Sequence, residues 1–201
     1  QTRPDAEERR LNVSVDAPAH DDTRARILKA ALELFAEHGF AGTSTREISE
    51  RLGFTKAALY YHFRTKDDLL IAIVSPVLDE LGQLVSNAAP GSSAAVRRAV
   101  LADYIDLIAS NDLLSRVLMQ DPSVAHHPAL AQGMPIYVAL VTLLSGRENP
   151  GAAELTRVRA ALGGIRDALF FAAPTDDPAV VRAATLAAAC GALGIPAPRQ
   201  A

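Results

Sequence analysis

An all-α fold is predicted by three features of the chain. Apolar residues recur at helical spacing along most of its length, capping signatures stand at the start of several of those stripes, and strand-favouring residues are scarce. Apolar residues make up 49% of the 201 positions, most of them Ala, Leu and Val, while aromatics are 5% and Trp is absent. Ala and Leu enter helices at low cost, and a pleated surface draws on aromatics that this chain lacks.

Nine helices are expected. The first, about Thr23 to His38, follows Asp21 and Asp22 and repeats Ile27, Ala30, Ala31, Leu34 and Phe35 on one face. It stops at Gly39, which can take a left-handed conformation at a helix end without a Cβ clash. The second opens at Ser44, whose hydroxyl can cap free N–H groups while Glu47 closes a capping box; Ile48 and Leu52 share its inner face and Gly53 ends it. Thr55 caps a third helix, Lys56 to about His62, with Leu59 and Phe63 inward and Lys56, Ala57, Tyr60 and Tyr61 outward. Thr65 and Asp68 form another capping box, opening a fourth helix from Lys66 to about Val85 with Leu69, Leu70, Ile73 and Val77 on its apolar side. Pro76 within it should bend the helix or remove one backbone hydrogen bond.

Asn87 to Ser93 (NAAPGSS) reads as a linker. A fifth helix, about Ala94 to Ala109, carries Val96, Val100, Leu101, Tyr104, Ile105 and Ile108. A short sixth, about Asp112 to Gln120, is ended by Asp121-Pro122, and a seventh begins near Pro128 and reaches Leu144 with an interruption at Gly133 to Pro135. The eighth, Ala152 to Phe171, aligns Leu155, Val158, Leu162, Ile165 and Leu169; the ninth, Pro178 to Leu193, is Ala-rich with Val181, Ala184, Ala188 and Gly191 in line. Small residues on both let helices pack closely.

Two short helices joined by a tight glycine-containing turn form a helix-turn-helix, whose second helix enters the major groove of DNA. At the same residues the chain resembles the DNA-binding domain of TetR-family transcriptional regulators. The matching pieces are FAEHGF at Phe35 to Phe40, TSTREI at Thr43 to Ile48, LYYHF at Leu59 to Phe63 and KDDL at Lys66 to Leu69, and the resemblance covers residues 23 to about 70. One departure is Ala57, where the family often carries Gly; its methyl limits the approach to DNA and can touch a thymine methyl.

The expected organisation is a flexible tail at 1–22, a helix-turn-helix domain at 23–68 and an effector-binding and dimerisation domain at 69–201. For DNA contact, Arg46 offers a fork for a guanine edge or phosphate, Thr45 and Thr55 can donate to phosphate at helix starts, and Lys56 is the first exposed side chain of the recognition helix. Tyr61 can reach the backbone or pack against the first helix. The resemblance implies that Tyr60 and His62 also contact the backbone and that Lys66, at a helix N-terminus, meets phosphate. It further implies a homodimer joined through the last two helices, and a body enclosing a small-molecule effector whose binding shifts the fourth helix. Candidates for that site are Tyr104, Met119, His126, His127, Tyr137, Arg166 and Phe170.

Charge places limits on how DNA is held. The net charge is −3, yet residues 20–70 carry eight Lys/Arg and eight Asp/Glu, including all three lysines, Lys29, Lys56 and Lys66. Attraction to phosphate must therefore be local, and pairing of two subunits on a double-stranded, pseudo-palindromic operator becomes more necessary. An enzyme is not expected, since no Gly-rich phosphate loop follows a strand and no G-x-S-x-G occurs; no cofactor and no metal are expected either, because the adjacent His126 and His127 rarely converge on one ion. The apolar stretch Ile136 to Leu144 is nine residues with Thr142 inside it, short of a membrane span, no signal-peptide pattern opens the chain, and the single Cys190 fits a buried thiol. A cytoplasmic protein without a membrane partner is the expectation. The alternatives are an activator of the same fold and a helical interaction module with a degenerate helix-turn-helix, which the zero local charge allows.

Overall fold

The computed structural model describes residues 17–88 and 91–196. Among them run ten α-helices: α1 (Ala17–Gly42), α2 (Thr45–Leu52), α3 (Lys56–His62), α4 (Lys66–Ser86), α5 (Ala94–Ser110), α6 (Asp112–Gln120), α7 (Pro122–Ala125), α8 (Gly133–Ser145), α9 (Ala152–Phe170) and α10 (Pro178–Ala192), with a 3₁₀ turn at Pro128–Leu130. The expected all-α architecture is present. The N-terminal residues 1–16 of the expected tail, and Ala89 and Pro90 of the expected linker, lie outside the described residues.

The ends of the helices follow the local chemistry read above. In α1 the backbone leaves helical geometry at Gly39, with φ 76° and ψ 160°, although a last turn continues to Gly42. Both capping boxes form: Ser44 with Glu47 at α2, and Thr65 with Asp68 at α4. Gly53 closes α2 at φ 66°. Two elements differ from expectation. Helix α1 begins at Ala17 rather than near Thr23. The seventh helix, expected from near Pro128 with an interruption at Gly133 to Pro135, is a 3₁₀ turn followed by α8 from Gly133, and a one-turn α7 that was not expected precedes it; prolines at 122 and 128 each occupy a helix start.

Two apolar cores divide the chain. One gathers Ile27, Leu34 and Phe35 of α1, Ile48 of α2, Leu59 of α3 and Leu69, Leu70 and Val74 of α4; it also takes Leu114 and Val117 of α6 and Val124 of α7. The other joins Leu101 and Ile105 of α5, Leu140 and Leu144 of α8, Val158, Leu162 and Ile165 of α9 and Ala189 and Cys190 of α10. Helix α4 serves both, since Leu81, Leu84 and Val85 pack against the second core. Helix α6 crosses from the body into the first core, so residue 68 is not a break in packing.

Helix α4 continues through Pro76, which lacks the N–H that would reach the carbonyl four residues earlier. It is also long and apolar enough to cross a membrane by length and composition, which the nine-residue apolar stretch did not announce. Of its residues, Leu69, Leu70 and Val74 are packed in the first core.

Candidate functional site

The helix-turn-helix is held from behind by residues that leave its outer face open. Ile48 and Leu59 are fully buried, fixing α2 and α3 against α1. Thr43, only 2% exposed, donates its hydroxyl to the carbonyls of Leu34 and Gly39 and so fixes the turn from α1 into α2. Arg51 pairs with Glu37 at 2.7 Å, tying α2 to α1. The Thr55 hydroxyl accepts from the Ala58 N–H at 3.1 Å and starts α3.

Arg46, Thr55, Lys56, Ala57, Tyr60 and Tyr61 are exposed on this face, and Thr45 is half-buried beside them. The hydroxyls of Thr45 and Tyr60 lie 3.3 Å apart and join the N-terminal turn of α2 to α3. Arg46 donates to Glu50 at 2.7 Å one turn along, which raises its pKa and leaves Glu50 competing with any phosphate for the guanidinium. His62 is half-buried, edge-on to the Tyr61 ring at 5.3 Å.

Lys66, expected at a phosphate, makes contacts within the chain. Its ammonium donates to the carbonyls of Phe40 and Thr43 and stands 4.4 Å from the centre of the Phe40 ring. With the Ala41 carbonyl also 3.5 Å away, the ammonium caps carbonyls where α1 ends, a contact its place at the start of α4 did not reveal. Arg64, two residues earlier, was passed over by the sequence reading; it is exposed and makes no ion pair with a described carboxylate, as is true of Lys56. The signal was available, since Arg64 lies between the recognition helix and the cap of α4.

A second contact links this domain to the body. The Phe40 N–H donates to Asp121, which also accepts from the N–H and hydroxyl of Ser123. Burial pushes the Asp121 carboxyl up, but these bonds together with one from Val124 hold it below its ordinary value. A Cβ at Gly39 would come within 3.2 Å of the same carboxylate, so glycine serves both the positive φ and the close approach.

The expected effector residues separate into two groups. Tyr104, Met119, Tyr137 and Arg166 line a cavity of about 570 Å³, larger than four other clefts of about 300–360 Å³. Its walls come from α4 (Val77, Leu78, Leu81), α5 (Leu107, Ile108), α6 (Ser115, Leu118), α8 (Gly133, Met134) and α9 (Gly163, Asp167). His126, His127 and Phe170 lie elsewhere. His126 is exposed, with Nδ1 3.1 Å from the Pro122 carbonyl. His127 packs edge-on against Phe40 at 5.2 Å, accepts from the Ala129 N–H and sits 3.5 Å from Asp67, so α7 delivers it to the junction of α1 and α4. Phe170 meets Phe171 at 4.7 Å with the Arg116 guanidinium 4.9 Å above its ring.

The outer faces of α9 and α10 carry small residues at helical spacing. Ala160, Gly164 and Ala168 on α9 are exposed, as are Ala184, Ala188 and Ala192 on α10. Together with Arg157 and the buried Ala161, Ile165, Thr185 and Ala189, most of them line a shallow cleft of about 300 Å³. Cys190 is buried on the opposite side of α10.

A family model described as bacterial regulatory proteins, tetR family, matches residues 27–73. Similar sequences include the HTH-type transcriptional repressor AcnR of Corynebacterium diphtheriae, 29% identical over 50% of this chain and 52% of that protein. The HTH-type transcriptional regulator AcrR of Shigella flexneri is 32% identical over 49% of this chain and 47% of its own. The chain thus aligns with about half the length of these relatives. The fold extends further: the TetR-family transcriptional regulator PfmR from Thermus thermophilus superposes with a TM-score of 0.63 over 84% of this chain and 97% of its own, at 22% identity.

Proposed function

With residues 27–73 a domain of the tetR family of bacterial regulatory proteins, we propose that this chain is a transcriptional repressor that binds a pseudo-palindromic duplex as a homodimer and is released by a small molecule. The observation that carries the reading is the outward face of α2 and α3. Their apolar sides are buried, while Arg46, Lys56, Ala57 and Tyr60 stand exposed on two helices joined by the Gly53 turn and the Thr45–Tyr60 contact. An Arg fork and a lysine at the start of the recognition helix can read base edges, and hydroxyls at helix N-termini can hold phosphates and set the register.

A single such domain with balanced charge binds weakly, so two copies are needed. The small-residue faces of α9 and α10 suit a two-fold interface, because a symmetric contact repeats one patch on both subunits and short side chains let the helices approach. Release follows from α4, whose Val77, Leu78 and Leu81 wall the cavity while its Leu69 and Leu70 belong to the core behind the helix-turn-helix. An occupant that shifts α4 moves the recognition helices apart or together, and fixed half-site spacing penalises either.

The test is selection of bound duplexes from a random pool by the purified chain at fixed salt. Enrichment of an inverted repeat is the expected result. A folded, dimeric protein that enriches no sequence would contradict the reading and favour an interaction module.

A further inference from the structure

The body cavity is mostly apolar: Val77, Leu78 and Leu81 of α4 line it together with Leu107 and Ile108 of α5 and Leu118 of α6. Its polar lining includes Arg166 and Tyr104. Tyr104 is 6% exposed, and no hydrogen bond joins its hydroxyl to a described residue. Arg166 is exposed and pairs with no described carboxylate within 4.0 Å, although Asp167 is its chain neighbour. Burial pushes the Tyr104 phenol up in pKa, while the Arg166 charge acts against that rise and Tyr137 adds to it. Among the lining residues Arg166 is the one cation and Asp167 the one carboxylate, so the Arg166 guanidinium is the group that can receive an anion.

From this geometry we infer that the cavity binds an elongated organic carboxylate, its carboxyl group on the Arg166 guanidinium and the Tyr104 hydroxyl and its aliphatic body against α4 and α5. This assignment rests on reading the cavity as the effector site. A guanidinium at a cavity mouth offers parallel donors that match the two oxygens of a carboxylate. An exposed Arg166 places the charged end of the ligand near solvent, so only its apolar part must leave water. Gly163, on α9 between buried Leu162 and exposed Gly164, lines the same cavity, and a Cβ built on it would meet nothing within 4 Å, so a larger side chain there would extend into open space.

The test is calorimetric titration of the full chain with decanoate, decanol and decyltrimethylammonium, with far-ultraviolet circular dichroism as the check that each variant is folded. Decanoate is expected to bind at least about ten-fold tighter than decanol. Arg166→Gln should erase that preference while leaving decanol affinity as it was, and Gly163→Leu should weaken both by filling the cavity. Equal binding of decanoate and decanol, tighter binding of the ammonium, or a preference that survives Arg166→Gln overturns the carboxylate assignment but leaves an effector site in place if Gly163→Leu still blocks binding. Decanoate binding that Gly163→Leu does not alter, or no binding by any of the three, overturns the cavity reading along with it.

Discussion

At the scale of single residues, what a side chain does depends on whether its end stays free. Lys56 is exposed and pairs with no described carboxylate, so its ammonium is available to a base edge. Lys56→Ala should lower the ratio of operator to random-duplex affinity by roughly ten-fold, as read by competition binding, with little change in random-duplex affinity. Lys66 is engaged instead with Phe40 and Thr43. Lys66→Ala should remove these charge-assisted bonds and cost about 1–2 kcal/mol, or roughly 2–8 °C in melting temperature for a chain of this size. An unchanged melting temperature with the salt slope of DNA binding reduced by about one would restore the phosphate role. Caps such as Ser44 and Thr55 were legible in sequence because their partners lie three residues away. The endpoint of Lys66 was not, since its acceptors stand 26 and 23 residues earlier and only the fold brings them near.

At the scale of elements, the starts and stops that rest on local chemistry agree with the sequence, and those that rest on tertiary contact do not. Gly39, Gly53 and the two capping boxes end or begin helices where read. The α6–α7 junction was read only as a stop at Asp121-Pro122, whereas Asp121 also holds the Phe40 N–H, 81 residues away. This carboxylate should carry a pH signature. Its pKa in the folded chain is depressed below 3.8, so its contribution is fully present above that value and is lost as pH falls through the folded pKa. Asp121→Asn should lower the urea midpoint at neutral pH, and the wild-type and variant midpoints should converge as pH falls through the depressed pKa of Asp121. A constant gap at all pH values would show that the charge is not what matters at this contact.

At the scale of the whole molecule, α4 and α6 each contribute to the core behind the helix-turn-helix and to the cavity of the body, which is what a ligand-responsive DNA-binding protein requires. The sequence made the N-terminal fold legible through its motifs, and Tyr104, Met119, Tyr137 and Arg166 fell together at the cavity. His126, His127 and Phe170 did not, because a chemically suitable side chain says nothing about which way α7 or the end of α9 presents it. Ala188→Glu should place a desolvated charge in the proposed subunit interface and convert the chain to a monomer in sedimentation equilibrium with its helix content kept; a variant that remains dimeric would move the interface off α10. The central claim, two α2–α3 faces reading one duplex, is tested most directly by equilibrium binding to the enriched inverted repeat and to the same duplex with one half-site scrambled. The account predicts one dimer per repeat and a loss of roughly a hundred-fold or more on scrambling at fixed salt. Equal affinity for the two duplexes would contradict it.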